Sequence, residues 1–481
     1  MVTLPSEAAQ DVGLVRQLID AGMDIARINC AHDGPDEWRA MAVHVRKVAK
    51  QARRNVRILM DLAGPKIRTG DIEASPAVLK LKPGKDPFGH VYQPARLGLH
   101  GIGRTVSMPD VQACVGVWDH WLERLKVGSK IAFADARGAK RHLLVTHCGS
   151  QGVVAECLRS AYLTPETVLV LERPQGKKQH STLVCQIERN PGALHLARGD
   201  RLLLTRPAGQ DQQADEFAPD SLGSLPQVPC TLGAVIDQVK VGERVWFDDG
   251  RLGGVVRQVQ AHALEVEITH ARAGGEKLAS DKGINLPDST LDLPALTAKD
   301  LDDLIVVAEL ADLVGLSFVQ QPQDIVTLRE QLTRLNRPDL GLILKIETRQ
   351  GFERLPDLIL AAMAAPQAGI MIARGDLAVE CGFERMAEVQ EEILCCAEAA
   401  HLPVIWATQV LETLAKTGLP SRAEISDAGL GVRAECVMLN KGPFISDAIR
   451  TLDDILQRMA GHQQKKRTLL RALQAWQDCA A

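Results

Sequence analysis

The sequence of 481 residues predicts an α/β protein: a (β/α)8 barrel of the TIM class with a large all-β domain inserted after the third barrel strand. Three observations carry this expectation. Short β-branched or apolar runs alternate with amphipathic helical stretches at both ends of the chain. Three such units at the start and five at the end make eight, the number that closes a barrel. Between them, from about 72 to 285, the texture changes to alternating runs rich in Gly, Pro and Val with frequent turn signals.

The first unit is VTLP followed by a helix over EAAQDVGLVRQLIDAG. The second is DIARINC followed by DEWRAMAVHVRKVAKQA. The third strand, NVRILMDL, runs into AGPKIRTG, and its helix is TAKDLDDLIVVAEL, more than two hundred residues later. The remaining strands are ADLVGLSFV, LGLILKIE, AGIMIARGD, PVIWATQ and ECVMLNKG, each followed by a helical pattern. The implied parts are 1–71 and 285–460 for the barrel, 72–284 for a β-rich lid and 461–481 for a C-terminal helical tail. Within the lid, LKVGSKIAFADARG at 125–138 aligns with VKVGERVWFDDGRLGG at 239–254, and LARGDRLLLT at 196–205 is a fainter third copy. Each puts a Gly turn before a strand, so the lid reads as a duplicated module or as convergence on a common turn. The GIGRT stretch at 101–105 lacks the flanking strand and helix of a phosphate loop and reads as an ordinary loop.

Composition narrows the function classes. Hydrophobic residues are 46% and charged residues 24%, as in a soluble globular protein. A net charge of −4, from 56 basic and 60 acidic residues, argues against a broad nucleic-acid surface. No apolar run approaches the roughly 20 residues that span a bilayer, and the first residues lack a signal-peptide pattern. Eleven scattered cysteines form no CxxC or zinc spacing and read as idle thiols of a reducing, cytoplasmic compartment. The first strand begins almost at Met1, which fits either a missing leading segment or a short protein.

In this barrel class the chemistry sits where strands end. The residues there are Pro5; Arg27, Asn29 and His32; Asp61, Lys66 and Arg68; Ser317; Lys345 and Glu347; Arg374, Gly375 and Asp376; Thr408 and Gln409; Asn440 and Lys441. Apolar strands that end repeatedly in charge are hard to explain by packing. Glu347 and Asp376 end neighbouring strands, and two carboxylates with few other protein ligands suit Mg2+ or Mn2+ with open positions for substrate oxygens. The bland alternative pairs each with a local Lys or Arg. Lys345 lies two residues before Glu347, on the same strand face, where it can neutralise a transferring phosphoryl group or an enolate, or simply hold Glu347. Arg27, Arg68 and Lys66 add positive charge suited to phosphate, with Gly64 and Pro65 making the turn that presents the last two.

Taken together, MDIARINCAHDG, MDLAGPKIRTG, KGINLPDSTLDLPALTAKDLDDL, LKIETRQGFERL, IMIARGDLAVE, VIWATQVLETL and SRAEISDAG resemble the pyruvate kinase family, over about residues 2–70 and 282–455. That family transfers a phosphoryl group from phosphoenolpyruvate to ADP, giving pyruvate and ATP in glycolysis. The resemblance implies Glu347 and Asp376 as divalent-metal ligands and Lys345 as the lysine facing the phosphoryl group in flight. It implies Thr408 beside the enolate, and backbone at Ala373, Arg374 and Gly375 holding the substrate carboxylate with Asp376. Arg27 and Arg68 match phosphate-binding arginines, with Arg27 also counted as catalytic. Pro5, Asn29 and His32 match positions near the nucleotide, and Asp249 and Lys282 match lid residues. The partners implied are phosphoenolpyruvate and ADP, with no nucleic acid and no membrane; a homo-oligomer is open.

The departures are specific. K+-dependent members hold the ion with side chains after the second and third strands; here those positions read Asn29, Ala31, Asp61 and Leu62, with Ala31 in place of a serine and Leu62 of a threonine, so two oxygen ligands are missing. Lys66 stands where those members carry glutamate, so its ammonium is expected to substitute for the monovalent cation and no K+ is expected to be required. Ala63 replaces a lysine or glutamine. NKGPF at 440–444 replaces SGETA on the proton-donor side. The lid is about twice the usual size. The family's C-terminal domain does not follow in this sequence, so sugar-bisphosphate activation through it is not expected. Three alternatives stay open: a phosphotransferase with another acceptor, a metal-dependent lyase acting through a pyruvate enolate, and a non-catalytic binding protein on the same scaffold.

Overall fold

Eight strands lie side by side in parallel in the computed structural model, which describes residues 1–72, 78–104, 108–172, 180–187, 192–207 and 225–460. They are Val2–Thr3, Ile25–Asn29, Arg57–Asp61, Leu313–Leu316, Gly341–Ile346, Ala368–Ala373, Val404–Ala407 and Cys436–Val437. Each pairs with the next in that order. Leu439 then bridges back to Val2, with Thr3 N donating to Leu439 O at 3.0 Å and Leu439 N to Met1 O at 2.9 Å. The eight strands are those read from the sequence.

Local chemistry sets where the helices begin. The run at 7–22 is broken into a 3-10 turn, Ser6–Ala9, and a helix, Val12–Ala21. Asp11 causes the break, because its carboxylate caps Gly13 N and Leu14 N and starts a new helix. The pattern over 349–363 likewise splits into Arg349–Glu353 and Leu355–Ala362, with a proline in the first turn of the second. Thr297 and Ser421 open Ala298–Leu310 and Arg422–Leu430 through reciprocal caps with Asp300 and Glu424.

Period-two alternation divides the core. Outward-facing strand residues such as Ile58, Met60, Leu344, Ile370 and Trp406 pack on the helices. Inward-facing Leu59, Leu313, Ile343, Met371, Ile405 and Met438 form a separate apolar cluster inside the ring of strands. Two residues further along the same inward faces come Asp61, Gly315, Lys345, Ala373, Ala407 and Asn440. An apolar plug therefore sits beneath a layer that carries Asp61, Lys345 and Asn440.

The chain divides into two compact units, Met1–Gly70 with Leu196–Ala481, and Asp71–His195. The stretch 72–284 is thus shared between them. In the first unit, a six-stranded sheet runs in the order Gln227–Pro229, Arg201–Thr205, Ala263–His270, Leu252–Val259, Arg244–Phe247, Ile284–Asn285. It joins the barrel strands through the segments 68–69 and 281–283, where Arg68 bridges Gly283. The second unit holds a separate eight-stranded sheet built around Trp121, Phe133 and Leu143.

The three sequence copies share one local structure. Gly128, Gly199 and Gly242 all have positive φ (87°, 95° and 94°). Their N–H groups donate to Val145 O, Ile268 O and Val256 O, each at 2.8 Å. The amides of Val145, Ile268 and Val256 return bonds to Ser129, Asp200 and Glu243. The motif is a glycine turn that starts an antiparallel pair.

The tail at 461–481 and Thr105 of GIGRT lie outside the described residues. The cysteines among the described residues are free. No helix among them is long and apolar enough to cross a membrane.

Candidate active site

The charged ends of the strands converge on a cavity of about 420 Å3 within the barrel unit. Arg27, Asn29, His32, Lys66, Arg68, Lys345, Glu347, Ala373, Asp376 and Thr408 line it. A neighbouring cavity of about 280 Å3 shares Arg27, Asn29, His32 and Asn440 and extends to Lys441. Pro5, Arg374, Gly375, Asp249 and Lys282 line neither of these two.

Lys345 is the centre of the polar layer. Its ammonium donates to Ser317 Oγ at 2.7 Å and lies 3.1 Å from Glu347 Oε1 and 3.2 Å from Asp61 Oδ2. Burial opposes its charge, but Asp61 and Glu347 outweigh burial and hold its pKa above the ordinary lysine value. Asp61 shows the converse. Burial would raise its pKa, yet Lys345 and Arg27 bring it below the usual carboxylate value. Arg27 donates to the same Asp61 Oδ2 from Nε at 2.9 Å and Nη2 at 2.5 Å, and to Thr3 Oγ1 at 3.1 Å.

Glu347 receives a second bond, from Phe318 N to Oε2 at 2.7 Å. Its pKa is raised, first by burial and further by the charge of Asp376, against the pull of Lys345. Like-charge strain between two carboxylates at one cavity wall is what a divalent cation relieves. Glu347 and Asp376 therefore fit such an ion, with the remaining positions left to other oxygens. No group of three or more acidic, His or Cys ligands occurs among the described residues.

Asp376 has a resident counter-charge. Lys66 Nζ lies 3.1 Å and 3.0 Å from its two carboxylate oxygens. Gly64, with φ 67°, makes the turn that presents Lys66, and a side chain there would strike Ser317 Cβ at 2.9 Å. Arg68 points instead to Asp281, reaching its carbonyl at 3.1 Å and its carboxylate at 3.3 Å.

Beside Asp376, Thr408 and Gln409 both adopt positive φ (65° and 56°), an uncommon conformation for non-glycine residues that clusters at functional sites. Thr408 Oγ1 accepts from Gly375 N at 2.8 Å. Arg374 is turned away from the cavity and buried. It donates to Ala407 O and Thr408 O, pairs with Asp427 at 2.9 Å and lies over the Trp406 ring at 4.8 Å. Its side chain braces the Thr408 turn. Asn29 Oδ1 accepts from Ala31 N, and His32 O accepts from Trp38 Nε1. Pro5 precedes the first 3-10 turn. In the six-stranded sheet, Lys282 pairs with Asp248 at 3.0 Å, and Asp249 is the next residue of the same turn.

Two arrangements were not read from sequence, where Asp61 stood only at a family K+ position. Asp61 and Ser317 were legible as polar strand ends, but their convergence on Lys345 was not. Glu380 carried no signal. It is buried one turn beyond Asp376, accepts from Asn285 Nδ2 at 3.0 Å, and burial pushes its carboxyl up to about 7.

Comparison with known proteins follows the same residues. The family profile described as "Pyruvate kinase, barrel domain" matches residues 2–89 and 190–443. A pyruvate kinase of Bacillus licheniformis is 31% identical over 274 residues, covering 56% of this chain and 44% of its own. One from Kluyveromyces lactis is 36% identical over 222 residues, covering 44% and 42%. One from Geobacillus stearothermophilus is 28% identical over 312 residues, covering 63% and 49%. The matched part of the chain spans less than half the length of each of these relatives.

Proposed function

This chain belongs to the pyruvate kinase family, and from that premise we propose that it transfers a phosphoryl group from phosphoenolpyruvate to ADP, giving pyruvate and ATP, without a requirement for K+. The observation that carries the reading is Lys345. It is a buried ammonium at the wall of a cavity also lined by Arg27, Glu347, Asp376 and Thr408. The architecture we propose is a (β/α)8 barrel with β-rich insertion between its third strand and the following helix. A cytoplasmic location accompanies it.

Glu347 and Asp376 would hold Mg2+ or Mn2+, which supplies charge neutralisation to substrate oxygens. The backbone at Ala373, Arg374 and Gly375, at the start of helix Arg374–Cys381, would hold the substrate carboxylate, the Gly375 N–H passing to it from Thr408 Oγ1. Arg27 and Lys345 surround the phosphate. As an ADP oxygen attacks phosphorus, the bond to the enol oxygen breaks, and Lys345 and Arg27 meet the charge spread over the phosphoryl oxygens. The enolate left behind takes its proton from the Thr408 side. Pro5, Asn29, His32, Arg68, Asp249 and Lys282 serve the nucleotide. Lys66 supplies a fixed positive charge in place of a monovalent ion, and its pairing with Asp376 supports a cation already resident among the site's carboxylates.

A second reading, the same transfer to another acceptor, is favoured by one observation. Asn440 and Lys441 of NKGPF line the cavity next to Arg27 and His32. A coupled assay of pyruvate formation from phosphoenolpyruvate and ADP with Mg2+, with and without K+, separates them. Turnover equal in both conditions is expected. Strong K+ activation would sink the role given to Lys66, and absence of turnover by folded protein would favour the other acceptor.

A further inference from the structure

Resting on that functional reading, we propose that Asp61 is a positioning residue: a single buried carboxylate that fixes Lys345 and Arg27 side by side. Asp61 ends the third strand on the inward face, directly above Leu59 of the apolar plug, and is fully buried at 0% exposure. Only one of its oxygens is engaged. Oδ2 takes two N–H groups of Arg27, at 2.9 and 2.5 Å, and lies 3.2 Å from Lys345 Nζ. Oδ1 is buried without a hydrogen-bond partner.

The neighbouring strand is shaped around that oxygen. A Cβ built on Gly315 would lie 2.0 Å from Asp61 Oδ1, so the residue opposite has no room for a side chain. A buried carboxylate with an unsatisfied oxygen is an expensive way to fill a core, and apolar residues of similar volume often serve stability as well or better. Stability alone therefore does not account for it.

Geometry supplies the account. The Lys345 ammonium donates a hydrogen bond to Ser317 Oγ at 2.7 Å and is paired with two carboxylates, Glu347 Oε1 at 3.1 Å and Asp61 Oδ2 at 3.2 Å. Those three partners fix the position of the ammonium. Arg27 is held along one edge, through Nε and Nη2, and by Thr3 at Nη1. Its other N–H groups remain for a ligand. Two cations beside one another repel, and Asp61 is the anion they share. Removing it leaves Lys345 with Glu347 as its one carboxylate beside the neutral Ser317, and Arg27 with Thr3.

Asp61→Asn keeps the shape and removes the charge. We expect kcat to fall about 100-fold, the effect of a reacting group displaced by an ångström, with KM for phosphoenolpyruvate within about threefold. Ser317→Ala removes only the neutral acceptor of the same ammonium, and its loss in kcat should stay within about tenfold. Folded Asp61→Asn enzyme with kcat within about threefold of the parent, or Ser317→Ala costing as much as Asp61→Asn, would overturn the proposal. If Asp61→Asn does not fold, Gly315→Ala, which crowds the carboxylate without discharging it, is held to the same two outcomes. Melting temperatures give a readout that does not depend on activity. Asp61→Asn with Lys345→Met should melt higher than Asp61→Asn alone, because no stranded ammonium remains. Strictly additive shifts would count against the proposal even if the parent itself proved inactive, a result that would sink the functional reading separately.

Discussion

In the barrel unit, Arg27, Asp61, Lys345, Glu347, Arg374 and Glu380 are each less than a tenth exposed, and the first four share one cavity wall or its floor. In the unit of Asp71–His195, Asp135 is the one buried acidic or basic side chain among the described residues, apart from His100. Its oxygens are met by Arg137, Arg141 and the amides of Arg137 and Ala139. The first unit therefore carries buried charge that its own hydrogen bonds do not fully satisfy, and the second caps a turn. Sign differs as well. The second unit has 16 basic and 11 acidic residues, a net of +5, leaving 40 basic and 49 acidic residues elsewhere, a net of −9. Incompletely satisfied buried charge is where chemistry is expected. The contrast separates a unit that gathers buried charge at a cavity from one whose buried carboxylate is consumed by its own turn.

The largest expected effect lies at the centre of that contrast. Lys345→Met should lower turnover by about a thousandfold or more, since it removes a preorganised charge facing the transferring group. Mn2+ should still bind, as followed by electron paramagnetic resonance, and near-normal turnover would remove Lys345 from the mechanism.

A core change in the other unit should do the reverse. Trp121 is 1% exposed and donates to His180 O at 3.0 Å. Trp121→Ala should destabilise the Asp71–His195 unit by about 3–5 kcal/mol, while kcat, measured below the first melting transition, changes by less than about twofold. A large loss of kcat in folded enzyme would break the comparison.

Glu380 gives an effect similar in size that depends on pH. Between its ordinary value of 4.5 and its buried value of about 7, the folded state holds a proton that the unfolded chain has released. Its contribution to stability is therefore full below the lower value and is lost as pH rises through the upper one, by about 3 kcal/mol in all. Glu380→Gln should flatten that loss between pH 5 and 8 in urea unfolding. An unchanged slope would mean that Glu380 is ionised throughout.

The smallest effect is at an exposed pair. His142 and Glu172 approach to 3.2 Å with 61% and 40% of their side chains exposed. Glu172→Gln should move the melting of its unit by less than about 1 kcal/mol. A larger shift would show that exposed charge in this unit bears more weight than the comparison allows.

Much of this was legible from residues alone. The eight strands could be read because apolar runs and helical periodicity are local, and the polar strand ends followed from them. The breaks at Asp11 and before Leu355 were missed because capping and proline chemistry act on single residues inside a continuous pattern. The cavity-lining residues lie where strand ends predicted them. Pro5, Arg374 and Gly375 do not line the cavity: the guanidinium of Arg374 was free, by sequence, to face either way, and the Trp406 ring and Asp427 turn it outward, away from the cavity.

What the sequence by itself determined is therefore the strand–helix alternation, the glycine turn shared by Gly128, Gly199 and Gly242, and the kinds of side chain that reach the strand ends. Those depend on propensities and spacings within a few residues. Tertiary structure decided the partners: Lys66 with Asp376 across 310 residues of chain, Lys345 with Asp61 and Ser317, and Gly315 against Asp61 Oδ1. It also decided that the stretch from 72 to 284 belongs to two units. The physical reason is the same in each case. Charge pairing and close packing depend on distance in space, and only the closed arrangement of the strands brings those residues within reach.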